Sequence, residues 1–286
     1  MAEIFWLASY PKSGNTWLRI LLANVRAGGE ADIDALPQYG LSGAFSRVVF
    51  DQYCGFKSSN LPVAAYENLR PQIFRVLAAH VPIPLVLKVH DAWRFTPKGE
   101  PLFPPDITTG AIYIVRNVLD VVPSAADHWN VDCAEAVRRL CDPDFALMAD
   151  PNALAPGLRQ VPGRWSDHAA SWVERSGLRL LVVRYEDLIA DAAHVLADVL
   201  AFLGWSANGE TIARAVEVAG FARLQQRERD LGFCERPSQA RSLFFRRGRI
   251  GSWREELPPD LVRRLIDVHG SAMARFGYLD GGGNPI

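Results

Sequence analysis

The chain has 286 residues, 49% hydrophobic and 22% charged, with a formal net charge of −1. That composition supports a large buried core, and the near-zero charge offers no basic field for nucleic acid or an anionic membrane. Any anion site must be built from a few local cations.

Met1-Ala2-Glu3 runs directly into Ile4–Ser9, an apolar run of strand length, with no charged leader segment before it. Thr16–Arg26 follows with helical periodicity, and Asn15 or Thr16 can cap it. Pro84–Val89 is a second strand, Ala111–Val115 a third and Leu178–Arg184 a fourth. Helices are predicted at Val118–His128, Ala192–Leu203, Thr211–Val218 and Pro259–Phe276. Segments 28–62, 91–108 and 142–166, rich in Pro, Gly and polar residues, predict no regular element, and 225–245 is ambiguous. Long irregular segments of this kind form substrate loops in compact enzymes. Strands apolar on both faces and separated by helices predict a parallel sheet of five or so strands covered on both sides. The expectation is one α/β domain over residues 1–286, with a frayed tail at 281–286. No apolar run reaches the ~18–20 residues that span a bilayer. The cysteines at 54, 133, 141 and 234 form neither a CxxC pair nor a zinc pattern, which suits a reducing compartment. A soluble, cytoplasmic protein without a metal site is expected.

Between the first strand and its helix lies Tyr10-Pro11-Lys12-Ser13-Gly14-Asn15-Thr16-Trp17. A strand-to-helix turn presents backbone N–H groups at the positive end of a helix, which binds phosphate. Lys12 adds a full charge, and Gly14 permits close approach. A plain turn with a solvated lysine remains the alternative. The loop lacks the Walker A pattern, since Lys12 precedes Gly14, and no strand ends in the acid of a Walker B site.

Further segments extend the pattern. Tyr113-Ile114-Val115-Arg116-Asn117 places an arginine after a buried strand, with Ser124 eight residues on. Lys88-Val89-His90 ends the second strand with Lys88 and His90 on one face. Phe244-Phe245-Arg246-Arg247-Gly248-Arg249-Ile250-Gly251-Ser252-Trp253-Arg254 lies near the C-terminus, and Arg184-Tyr185-Glu186-Asp187-Leu188 follows the fourth strand. Read alone, Arg116 could pair with Asp120, Ser124 could be a solvated helix residue beside the helix-distorting Pro123, and Trp17 or Phe221 could be core.

Together, in this order, these segments resemble the PAPS-dependent sulfotransferases, PAPS being 3′-phosphoadenosine 5′-phosphosulfate. The resemblance implies a P-loop-like nucleotide-binding architecture. It implies that Lys12 and the Ser13, Gly14, Asn15 and Thr16 amides hold the 5′-phosphosulfate. Arg116, Ser124, Arg246, Arg247 and Gly248, with Phe245 beside them, would hold the 3′-phosphate and ribose. Trp17, Tyr185 and Phe221 would border the adenine. Lys12 and Lys88 would stabilise charge, and His90 would be the general base, with turnover rising through an imidazole titration. His80, His128, His168, His194 and His269 have no such context and read as structural. Ser252 departs from the family's usual Asp. The family's Lys-x-x-x-Thr-Val-x-x-x-Glu dimer segment has no match after Trp253, and the oligomeric state stays open. The implied reaction carries a sulfuryl group to a hydroxyl, or second an amine, of a small acceptor. Phe45, Phe50, Tyr53, Phe56, Trp93, Phe95 and Trp129 favour a partly apolar or aromatic one. A P-loop small-molecule kinase and a non-catalytic nucleotide-binding protein are the competing readings.

Overall fold

The computed structural model describes residues 3–150 and 152–286; the first two residues of the expected domain lie outside it. Four strands form one sheet: β1 (Ile4–Ser9), β2 (Leu85–Val89), β3 (Thr108–Val115) and β4 (Leu180–Arg184). Their order is β2-β1-β3-β4 and every pairing is parallel. The sheet has four strands among the described residues, against the five or so expected.

The helices, in chain order, are α1 (Asn15–Ala27), α2 (Arg47–Cys54), α3 (Val63–His80), α4 (Val118–Trp129), α5 (Cys133–Leu140), α6 (Trp165–Val173), α7 (Tyr185–Ala190), α8 (Ala192–Leu203), α9 (Gly209–Val218), α10 (Phe221–Leu231), α11 (Trp253–Glu256) and α12 (Pro259–Arg275). None among the described residues is long and apolar enough to cross a membrane.

Alternation along the strands divides the core in two. Ile4, Trp6, Ala8, Leu87, Val89, Tyr113 and Val115 share one cluster with residues of α3–α6 and α12. Phe5, Leu7, Val86, Ile112, Ile114 and Val183 share the other with residues of α1 and α8–α10. A sheet buried on both faces needs side chains apolar at every position, which is why β1 reads as an unbroken apolar run.

The helices not foreseen have identifiable causes. α3 carries Pro71 in its interior and buries Glu67 and Arg70, so charge and proline blur its apolar stripe. α10 starts inside the Ala-Gly-Phe segment and runs to Leu231, into the span considered ambiguous. α4 continues through Pro123 to Trp129, so the proline does not break it. Where the sequence suggested a frayed end, the chain turns back. Asp280 accepts hydrogen bonds from Gly282 and Asn284, and Ile286 N donates to the Tyr278 carbonyl at 3.1 Å.

Parallel strands bring their carboxyl ends to one edge, where α/β sheets bind ligands. Lys12 leaves β1, His90 ends β2, Arg116 ends β3 and Tyr185 ends β4, and all four line a single cleft of about 840 Å³.

Candidate active site

The turn after β1 is tied down on all sides. Tyr10 OH donates to the Gly163 carbonyl at 3.0 Å. Asn15 turns its amide back to the Leu7 carbonyl (2.9 Å) and Ser9 Oγ (3.1 Å), which ties the start of α1 to the end of β1. Lys12 and Gly14 have φ of 69° and 99°, a left-handed pair that curls successive amides toward one point. A Cβ on Gly14 would lie 2.5 Å from Tyr185 Cδ2, so the glycine is required for space as well as for φ. α1 starts from Gly14 with no side-chain cap and no acid in its first turn, so its first N–H groups face the cleft without a side-chain acceptor. Ser13 Oγ and Arg116 Nε are buried without partners among the described residues. Unpaired donors gathered around a turn of this kind fit an anionic group.

Lys12 Nζ stands 3.3 Å from His128 Nδ1 and 4.2 Å from the centre of the Phe244 ring. No carboxylate pairs with it among the described residues. Burial, with Lys88 and Arg116 nearby, lowers its pKa to about 7. An anion bound beside Lys12 would favour its charged form. We therefore expect adenosine 3′,5′-bisphosphate to bind with proton uptake at pH 8, where free Lys12 is largely neutral, and its affinity to fall up to tenfold per pH unit above about 7. Calorimetry in buffers of different ionisation heat measures this, and binding without proton exchange at pH 8 would refute it.

His90 Nδ1 lies 2.8 Å from the Ser9 carbonyl, which can only accept, so Nδ1 carries the proton and Nε2 keeps its lone pair. Its backbone N–H donates to Gln160 Oε1 at 3.0 Å. Burial, then the Lys88 charge, lowers its pKa to about 3. The imidazole is thus neutral throughout the physiological range. The rise of turnover with pH is therefore expected at lower pH than in an ordinary imidazole titration.

His128, read as structural from sequence, lines the cleft and accepts from Lys12. Its spacing from Ser124, one helical turn on α4, is the signal that was available. Its pKa falls to about 3 through burial, then Lys12 and Lys88.

Arg116 does not pair with Asp120. One of its nitrogens donates to the Lys12 carbonyl (3.1 Å), another to the Arg249 carbonyl (3.4 Å), and the guanidinium stacks 4.3 Å from the Tyr185 ring centre. Asp120 instead accepts from Gly251 N (2.6 Å), Ser252 Oγ (3.1 Å) and Trp253 N (3.0 Å), which anchors the C-terminal arginine segment to α4. Ser252 thus makes its own contact where an Asp was expected. Arg246 pairs with Glu256 at 2.7 Å and Arg247 with Glu255 at 3.2 Å, so both enter the cleft already ion-paired. Gly248 has φ of 59°, and a Cβ there would lie 2.2 Å from Phe221 Cδ2, so this backbone presses flat on the Phe221 ring. Trp17 donates to the Ala219 carbonyl at 3.0 Å and meets Tyr185 edge to face. Trp17, Tyr185 and Phe221 make the aromatic end of the cleft.

Of the sequence-named residues, Lys12, Gly14, Asn15, Thr16, Trp17, Lys88, His90, Arg116, Ser124, Tyr185, Phe221, Phe245, Arg246, Arg247 and Gly248 all line the cleft, and Ser13 lies buried beneath it. Glu235 was not foreseen. Its carboxylate accepts from Thr16 Oγ1 (2.9 Å) and Lys88 Nζ (3.0 Å).

Three of the irregular segments reach the cleft, through Phe45, through Leu147, Met148 and Pro156, and through residues 234–239; segment 91–108 does not. Of the aromatics named for the acceptor, only Phe45 and Trp129 line it. Phe50 is buried against Tyr66, and Phe56 and Phe95 are exposed elsewhere.

A family model described as a sulfotransferase domain matches residues 3–277. Sulfotransferase 1A1 of Rattus norvegicus is 26% identical over 259 residues, 87% of this chain and 77% of that protein. Cytosolic sulfotransferase 17 of Arabidopsis thaliana is 20% identical over 297 residues, 96% of this chain and 75% of that one. The solved structure of mouse sulfotransferase SULT7A1, complexed with PAP, superimposes with a TM-score of 0.61 at 21% identity, over 98% of this chain and 86% of the other. Retinol dehydratase, solved with androsterone and the inactive cofactor PAP, gives 0.58 at 19% identity, over 94% and 80%. At these identities the superpositions speak for the fold. The family match takes in all four strands and the cleft they form, and the chain belongs to the sulfotransferase domain family.

Proposed function

We propose that this cleft moves the sulfuryl group of PAPS to a hydroxyl of a small, partly apolar acceptor. The observation that carries the reading is the place of His90. Its free Nε2 belongs to a cleft lined both by cations (Lys12, Lys88, Arg116) and by apolar side chains (Phe45, Trp129, Leu147 and Met148). The donor supplies an activated sulfuryl group and a bisphosphate leaving group. In this reading Lys12 and the amides of Ser13–Thr16 bind its 5′ end. Arg116, Ser124 and the Arg246–Gly248 segment bind its 3′-phosphate, and Trp17, Tyr185 and Phe221 flank the base. Sulfuryl transfer resembles phosphoryl transfer, with in-line attack and a loose transition state, so positioning and charge stabilisation dominate. His90 Nε2 takes the hydroxyl proton as the new S–O bond forms. Anions beside Lys88 and Lys12 reduce the positive field on His90 and raise its basicity when it is needed.

Two tests follow. Adenosine 3′,5′-bisphosphate is expected to bind at least tenfold more tightly than adenosine 5′-phosphate, since charge-assisted contacts contribute ~1.5–3 kcal/mol each. Equal affinities by calorimetry would remove the 3′-phosphate assignment. Turnover is expected to survive chelation. The Glu235 carboxylate at the turn after β1 is already engaged by Arg19, Lys88 and Thr16 and is poorly disposed to bind a divalent cation. Activity abolished by EDTA and restored by Mg²⁺ would favour a kinase.

A further inference from the structure

Glu235 reaches the site from a loop with no recognisable motif, and its surroundings fix it there. Phe233 is buried between Phe244 and Phe245, with ring centres 4.9 and 5.2 Å away. Cys234 N donates to Asp34 Oδ1 at 2.8 Å. The residues on its N-terminal side are therefore anchored, and the carboxylate is not a loose lid. Its Oε1 accepts from Arg19 Nη1 at 2.5 Å, while Oε2 accepts from both Lys88 Nζ and Thr16 Oγ1. Arg19 is only 3% exposed, and Glu235 is its one ion-pair partner among the described residues. Withdrawing the carboxylate would leave a buried guanidinium uncompensated, which is strongly unfavourable.

We propose that Glu235 is a positioning residue of the transfer site: pinned by Arg19, its carboxylate holds the Lys88 ammonium and the Thr16 hydroxyl in fixed places beside His90. Lys88 needs such a partner. Burial works against its charge, and Lys12 from the β1 turn, Arg19 from α1, His90 at the end of its own strand, His128 from α4 and Cys234 beside Glu235 supply no other carboxylate. The carboxylate does not mark the site for a cationic acceptor, because two cations already outweigh its single charge. This role in catalysis rests on the function proposed above; the structural part does not.

The test separates the two. The chain has four lysines: Lys12, Lys88 and the exposed Lys57 and Lys98. Competitive labelling with trace acetic anhydride from pH 6 to 11, read by mass spectrometry, gives the titration midpoint of each without any turnover. In the wild-type protein Lys88 is expected to titrate above Lys12, which lacks a carboxylate. In Glu235→Gln the Lys88 midpoint is expected to fall by a unit or more while Lys57 and Lys98 do not move. Turnover with PAPS is expected to fall at least tenfold, and its alkaline limb to move down with Lys88. An unchanged Lys88 midpoint in Glu235→Gln overturns the proposal. So does a wild-type Lys88 that titrates at or below Lys12, a result that stands even if the variant does not fold. Labelling as expected, with no sulfated product from the wild type, would leave the placement of Lys88 intact and refute only the sulfuryl-transfer reading.

Discussion

His90→Ala is expected to lower turnover by roughly 10²–10⁴-fold, the usual contribution of a positioned acid–base group, while leaving bisphosphate affinity within about twofold. The separation follows from position. His90 is fixed by the Ser9 carbonyl and Gln160 and presents Nε2, whereas the groups assigned to the nucleotide lie on the β1 turn, α4 and the Arg246–Gly248 segment. Because burial and the Lys88 charge lower the His90 pKa, the wild-type rate is expected to be flat from pH 5 to about 7 and then to follow the lysines. His90→Gln keeps a donor toward Ser9 but no base, and is expected to fall as far as the alanine variant. Near-normal turnover in a folded His90→Ala protein would move the base elsewhere in the cleft. A clear acid limb near pH 6.5 would show that the imidazole is less perturbed than its surroundings imply.

Lys12→Ala is expected to have the opposite pattern to a structural mutation. Affinity for the bisphosphate falls about tenfold or more, turnover falls by roughly 10²–10³ as for other donors to a developing anion, and thermal stability rises or holds. The reason is electrostatic. Lys12 is buried, and it is held near Lys88 and Arg116 without a carboxylate partner among the described residues, so the folded state disfavours its charge. Its folded pKa of about 7 lies below the unfolded value of about 10.4. Both states are protonated below pH 7, where the destabilisation is complete. Above 7 the unfolded chain holds the extra proton, so the wild type gains stability as pH rises toward about 10.4. The stabilising effect of Lys12→Ala should therefore be greatest at pH 6–7 and shrink with rising pH. Function loss accompanied by a lower melting temperature at pH 7 would mean that Lys12 supports the fold instead.

The part of the site legible in the sequence is the part that sits next to strands. Lys12, His90, Arg116 and Tyr185 each follow a buried apolar run, and a parallel sheet gathers such positions at one edge whatever lies between them. The arginine segment at 246–254 carried its own motif, although its arrest by Asp120 did not show: that contact spans more than 130 residues of sequence. Glu235 was invisible for the same reason, lying 147 residues from Lys88 in a loop of unremarkable composition. α3 was lost because Glu67 and Arg70, buried in ion pairs with Arg94, Arg159 and Asp91, occupy positions where periodicity expects apolar side chains. Aromatic content alone could not say which rings face the cleft. Phe45 and Phe56 lie eleven positions apart on the same irregular stretch, yet one lines the site and the other is 67% exposed away from it.

The proposed mechanism requires each phosphate at its own end of the cleft. The direct measurement is a crystal structure of the protein with adenosine 3′,5′-bisphosphate. The 5′-phosphate is predicted at the Gly14 end of α1 against Lys12, the 3′-phosphate between Arg116, Ser124 and the Arg246–Gly248 segment, and the base between Trp17 and Phe221, with His90 and the Phe45–Trp129 wall left open. A nucleotide bound in the reverse sense, or one that covers His90, would contradict it.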